Sequence, residues 1–420
     1  MAGTTFGCEL MRVFVVIFEQ LVPISGGGTP RIRSVIDILV KRGHEVSVAA
    51  SFDTDINNAC KILNCDRVFP LTNVSRLDKN KMIKYLIFHP LNIFKVLDAT
   101  VRTKPDIVIA HNSIAGFASL LAKEFTGCLA IVDMTDMLFE YISSYSKHRS
   151  WIRYLQKIGG NVENRVICQA DKIITVSNAM KEKLIQKRAK RKNMNVVYDG
   201  VTPVLFRLDK VSAIALRQKY AAGTENIVMF HGVIDPQDRP EILAEAAVSV
   251  LKRNPKTMFW VVGDGVAVPA IKEKIRKRGV EKHFFFSGWI PYQEVPKFIS
   301  ACDVGLVILP STASGEIRVT LKAFEYWACE KPIVAAELPA LKEIVTHGRT
   351  GLFYKPEDPT DLAEKICILL DDRRLSREMG KAGRQLVEKR YNWSKLATQF
   401  VVICEDLYAY PHAHVHARKN

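Results

Sequence analysis

The chain has 420 residues, 48% of them hydrophobic, and 60 Lys and Arg against 44 Asp and Glu give a net charge of +16. That length makes two or three domains, each large enough for its own core. A mean hydropathy of +0.02 excludes a disordered chain, and no run reaches the roughly 18 apolar residues of a membrane span. The basic excess requires a polyanionic partner. With no RNP, zinc-finger or helix-turn-helix signature, an anionic membrane surface is expected ahead of nucleic acid. Nine scattered cysteines without a CxxC pair read as free thiols in a reducing compartment rather than as disulfides or zinc ligands.

Val13 to Phe18 is a continuous apolar run. Glu19 and Gln20 interrupt it, so it reads as a buried first strand and not as a signal core. Gly26, Gly27 and Gly28 follow. Thr29 then serves as N-cap and Pro30 opens a helix with Ile32, Val35, Ile36, Leu39 and Val40 on one face. The three glycines do not fit G-x-G-x-x-G; they let backbone approach a diphosphate, or they make a tight turn. Residues 76–104 mix lysines with Tyr85, Phe88, Ile93 and Phe94. They form either a membrane-interfacial segment or a pair of core-packed helices with solvated lysines.

Asp106 to Ala110 and Leu129 to Val132 read as strands, ending in His111 and in Asp133-Met-Thr-Asp136. Parallel sheets hold ligands at such ends. His111 is a candidate ligand, a cap or a satisfied core histidine. Asp133 and Asp136 are candidate sugar or acceptor ligands, or caps of the next helix. A helix from about Trp151 to Gln169, a strand at 172–176 and a basic helix capped by Ser177 come next, and Asp199-Gly-Val closes the first half.

A second α/β series begins at Ile227, with strands near 258–262, 283–287 and 303–309. Its post-strand loops carry Gly232, Arg239 and Gly263. Arg239 is a candidate phosphate cation or an exposed helix-start residue. The loop holding Gly315 and Glu316 leads into a helix bearing Lys322 and Glu325. Backbone N–H groups at such a helix start meet phosphate, and Glu325 accepts hydrogen bonds from sugar hydroxyls. The expected fold is α/β, with two doubly wound Rossmann-like domains facing a cleft. The His412-x-His414-x-His416 tail reads as disordered rather than as a metal site.

From about Met11 to Tyr408 the chain resembles a family 4 glycosyltransferase of GT-B architecture. The resemblance rests on Ala170-Asp-Lys-Ile-Ile-Thr-Val-Ser177, on Lys322-Ala-Phe-Glu-Tyr-Trp-Ala-Cys-Glu-Lys-Pro332 and on Gly351-Leu-Phe-Tyr-Lys-Pro-Glu-Asp-Pro359. It implies an acceptor domain over 1–203, a nucleotide-sugar domain over 204–390, a helix at 391–410 crossing back to the first domain, and a disordered tail at 411–420. It also implies a retaining, metal-independent hexosyltransferase without a cofactor, which takes a UDP- or GDP-sugar to a lipid-linked or glycan acceptor. Such an enzyme is expected in the cytoplasm, peripheral on the inner face of the membrane. The alternatives are a sugar-nucleotide epimerase of the same fold or a catalytically weak sugar-nucleotide-binding subunit.

By this resemblance Glu325 matches the second glutamate of an E-x7-E motif on the ribose, Lys322 a lysine beside it, and Gly26 to Gly28 the diphosphate loop. Arg239, Lys322, His111, Asp133 and Asp136 are the catalytic candidates; Gly232, Gly263, Gly315 and Glu316 join the donor site. The chain departs from the pattern at three places. The first motif glutamate is Ile317, with Glu316 one residue off. The arginine after the strand glycine is Val233, and the following lysine is Asp238.

Overall fold

The computed structural model describes residues 10–23, 27–72, 81–137 and 150–416, with the side chains of 81–88, 150–156 and 410–416 excepted. Apolar runs in the first half form strands β1 (Arg12–Val22), β2 (Glu45–Phe52), β3 (Arg67–Pro70), β4 (Ile107–His111), β5 (Leu129–Met134), β6 (Lys172–Thr175) and β7 (Met194–Val196). They make a parallel sheet in the order β3-β2-β1-β4-β5-β6-β7. The register pairs Val13 with Val46 on one side and with Ile107 on the other.

The second half repeats the plan with β8 (Asn226–His231), β9 (Thr257–Val262), β10 (Phe284–Gly288), β11 (Val304–Val307), β12 (Ile333–Ala336) and β13 (Leu352–Tyr354). Their order is β10-β9-β8-β11-β12-β13. In both sheets the order reverses beside the first strand, between β1 and β4 and between β8 and β11. A crevice opens at each reversal, and ligands of open α/β sheets bind there. Buried Val, Ile and Phe side chains fill both faces, as parallel sheets covered by helices require.

The connections between the halves cross at Val201, whose N–H donates to the Tyr391 carbonyl at 2.9 Å and whose carbonyl accepts from Trp393 N–H at 3.1 Å. A Cβ on Gly200 would stand 2.5 Å from the Tyr391 oxygen, so glycine is required where the segments touch. The last helix, Trp393–His416, lies on the first sheet's side. Its Trp393, Leu396, Phe400 and Cys404 share one core with Val13, Ile32, Val35 and Leu39, and His44 Nε2 meets Glu405 at 3.1 Å.

Several sequence expectations need correction. Thr29 does not cap its helix: the helix runs Thr29–Lys41, with Gly28 at the cap and no side-chain cap bond. Thr29 is itself the first helical residue, one position past the cap. The basic–aromatic segment holds one helix, Lys81–Thr103, rather than a pair. Most of its aromatic half lies outside the described side chains; in the rest, Asn92, Val96 and Thr100 are buried while Leu91, Phe94 and Val101 are exposed. The last helix runs to His416, into the stretch expected as a disordered tail, and 417–420 lie outside the described residues. No glycine or asparagine stands before that point to favour a left-handed stop.

Candidate active site

The carboxyl ends of both sheets face one cleft of about 260 Å³, lined from the first half by Gly27, Gly28, Thr135, Asp136 and Asp199. The second half supplies His231, Gly232, Asp238, Gly263, Trp289 and Tyr292, together with Arg318, Lys322 and Glu325. Gly26 lies outside the described residues.

Behind the first wall is a buried charge network. Arg31, 1% exposed, grips Asp133 with Nε at 2.9 Å and Nη2 at 2.8 Å, and it donates to the Val197 and Tyr198 carbonyls at 2.9 and 3.0 Å. It reaches Asp199 at 3.3 Å, and Phe400 of the last helix lies 5.8 Å from it. Asp133 also meets His111 Nδ1 at 3.0 Å. Burial alone would raise the Asp133 carboxyl, but Arg31 and then His111 outweigh it and hold the carboxyl low. Burial likewise opposes charge on His111, and Asp133 overcomes this to raise it. Asp199 differs: burial dominates over Arg31 and pushes it up to about 6.

This network corrects two assignments. Asp133 and His111 stand behind the cleft lining: Asp133 is held by Arg31 and by His111 Nδ1, and the His111 ring lies beneath Gly28, where its Nε2 makes no hydrogen bond. Asp136 does line it. Its loop is held by Asn112, whose Oδ1 accepts from Thr135 N–H and Oγ1, each at 3.0 Å. Asn112 has a left-handed backbone, φ 64°, at the start of its helix.

On the opposite wall the helix Leu321–Ala328 begins after Thr320, whose hydroxyl accepts from Lys322 N–H at 3.1 Å. One turn on, Glu325 is buried and doubly held: His231 Nε2 lies 2.7 Å from one oxygen, and the Tyr292 hydroxyl donates to the other at 2.9 Å. Burial and then the Glu325 charge raise the Tyr292 hydroxyl far above its usual range, so it remains a donor. Lys322 Nζ stands 3.4 Å from Asp238 and over the Phe230 ring. Arg318 forms a short ion pair with the other Asp238 oxygen.

Three more expectations fail here. Arg239 has a left-handed φ of 48° that turns it out of the cleft, where it pairs with Glu357. Gly315 and Glu316 are absent from the cleft lining, because their short helical turn, Gly315–Ile317, docks on the first half of the chain. There Ile317 is buried among Val132, Met134, Met137 and Met180, and Ser177 Oγ donates to its carbonyl at 2.7 Å. Arg31, Arg318, His231 and Tyr292 were not singled out from sequence. Only Arg31 carried a signal, as a cation within an apolar helical face.

Two doubly wound parallel sheets with their carboxyl edges across one cleft form the GT-B architecture. The family model for Glycosyltransferase Family 4 matches residues 25–204 and that for Glycosyl transferases group 1 matches 213–386, so the chain belongs to the group 1 glycosyltransferases of family 4. An uncharacterized glycosyltransferase of Methanocaldococcus jannaschii is 26% identical over 80% of this chain and 84% of its own. A GDP-mannose-dependent alpha-(1-6)-phosphatidylinositol monomannoside mannosyltransferase of Mycobacterium tuberculosis is 23% identical over 58% and 63%. Among solved structures, sucrose-phosphate synthase of Thermosynechococcus elongatus matches with a TM-score of 0.81 at 20% identity, over 95% of this chain and 99% of that one. HepE of Anabaena in complex with UDP-glucose matches at 0.75 and 19%, over 94% and 100%.

Proposed function

We propose that the protein moves a hexosyl group from a UDP- or GDP-sugar to a lipid-linked or glycan acceptor with retention and without a metal, at the inner face of the membrane. The observation that carries the donor part is the pair Arg318 and Lys322 at a helix start on the cleft wall, with Glu325 one turn away. Cations and N–H groups take up the charge that grows on the departing diphosphate. Glu325, oriented by His231 and Tyr292, accepts from the ribose hydroxyls. The bond from the anomeric carbon to phosphate breaks, the bond to the acceptor oxygen forms on the same face, and the acceptor proton passes to the departing phosphate. Glu325, Asp238 and Asp199 are engaged with other side chains, which favours phosphate as the base. A similar structure solved in complex with UDP-glucose, a relative named for a GDP-mannose-dependent reaction on a phosphatidylinositol mannoside, and the +16 charge support the donor class and the lipid side of the reading.

A thermal-shift panel of UDP- and GDP-sugars tests it, run on the wild type, Lys322→Ala and Glu325→Gln. One donor class should stabilise the wild type and lose most of its effect in both variants; no shift with any donor would sink the reading. With the donor known, proton NMR of the product gives the anomeric configuration, and sedimentation with anionic vesicles tests the membrane. Conversion of the donor without an acceptor would instead mark an epimerase.

A further inference from the structure

Asp238 stands where the family resemblance places a lysine, and it is the most buried member of the cleft's charge cluster. Its side chain is 5% exposed, while Arg318 and Lys322, which flank it, show 13% and 15% to the cleft. The turn that carries it, Pro236–Asp238, is fixed by Asp235, whose carboxylate accepts from Gln237 N–H at 3.0 Å. One carboxylate oxygen takes Arg318 and the other takes Lys322. Burial acts to raise Asp238, yet the two cations outweigh it and keep the carboxyl below its ordinary range.

A carboxylate and a phosphate oxygen are equivalent acceptors for a guanidinium and an ammonium. Resting on the donor reading above, we propose that Asp238 is an internal counter-anion: it occupies Arg318 and Lys322 when the cleft is open to water, and it competes with the donor's diphosphate for them. Two cations against one fixed anion leave a single net positive charge for a ligand group that carries at least two negative ones. Asp238 thus weakens diphosphate binding and speeds departure of the nucleoside diphosphate after transfer. Arg318 becomes a donor-binding residue, supplying a cation from the far loop where Val233 and Asp238 leave none.

Calorimetric titration of the full chain with UDP, GDP and inorganic pyrophosphate tests this. Asp238→Asn keeps an oxygen for Arg318 and removes the charge. It should melt lower without ligand, because two partly buried cations lose their anion. It should also bind the preferred nucleoside diphosphate about tenfold or more tightly than the wild type. Equal or weaker binding by Asp238→Asn, with wild-type binding intact, overturns the proposal and leaves the donor reading standing. A wild type that binds neither nucleoside diphosphate, beside an Asp238→Asn variant that gains pyrophosphate but still neither nucleoside diphosphate, overturns the donor reading and leaves Asp238 as a counter-anion against a diphosphate of another kind. No binding in either protein overturns both. Should Asp238→Asn fail to fold, Arg318→Ala decides: the proposal requires it to lose diphosphate affinity about tenfold while nucleoside binding holds, and equal losses for both overturn it.

Discussion

His111 lies directly beneath Gly28: a Cβ placed on that glycine would stand 2.1 Å from Nε2 and 2.6 Å from Cε1 of the ring. The ring has no easy retreat, because Nδ1 is tied to Asp133 and the residue is buried. Gly28→Ala should therefore destabilise the protein by about 1–3 kcal/mol, the usual cost of overpacking. It should also weaken donor binding, since Gly28 lines the cleft. Calorimetry and nucleotide titration check both effects; an unchanged melting temperature would mean that the loop yields.

Arg31 joins Asp133, Asp199 and two backbone carbonyls inside the first domain. Arg31→Met strands two carboxylates and should cost about 3–5 kcal/mol. Arg31→Lys should recover little of this, because an ammonium cannot reproduce the planar two-pronged grip on Asp133. Urea denaturation of the two variants separates geometry from charge: a fully stable lysine variant would show that charge alone suffices.

The pH dependence of stability should carry the mark of Asp199. Its folded value of about 6 lies above the unfolded one, so the folded chain holds an extra proton over the window between them. Stability therefore falls as pH rises from about 4 to about 6 and levels off above, by roughly 2–3 kcal/mol at 1.36 kcal/mol per unit. Asp133, held low, contributes in the opposite sense: its share is present above the unfolded value and is lost as pH falls through the folded one. Asp199→Asn should flatten the first slope and leave the acid-side loss. Melting temperatures of both proteins from pH 3.5 to 8, as an approximate range, provide the check, and parallel profiles would remove Asp199 from the account.

Position 317 offers a test of the family pattern itself. Ile317→Glu reinstates the motif glutamate in the sequence, yet it places a carboxylate among Val132, Met134 and Met180. An unpaired buried charge of that kind destabilises by several kcal/mol or forces the loop off the first domain. The variant should lose stability and turnover rather than gain activity. A gain would show that the turn swings into the cleft during catalysis.

Both sheets could be read from apolar runs bounded by glycine and polar clusters, because buried parallel strands leave that trace in any sequence. Lys322 and Glu325 were placed in the cleft for a local reason, a helix start after a strand. The pairings that give the site its character join distant positions: Arg31 with Asp133, 102 residues on, and Arg318 with Asp238, 80 residues back. Hydrophobic periodicity carries no information about such pairs. For Arg239 the sequence leaves a phosphate cation and an exposed helix-start residue open, and a left-handed φ, which no local pattern announces, puts it outside. Asp133 is ambiguous in sequence because a carboxylate after a strand looks the same whether it faces a ligand or a buried arginine.

The last helix supplies Trp393, Leu396 and Phe400 to a core whose other buried members come from the first half of the chain, Met11 to Val197. Ribosomes make these parts far apart in time. At ~5–20 residues per second, roughly 20–70 seconds separate Leu39 from Phe400. Throughout that interval the Thr29–Lys41 helix rests on β1 and β2 but lacks its cover from the last helix, and the Arg31 network lacks the Phe400 ring above it. The first domain is thus the last to be finished, and its assembly waits on the second.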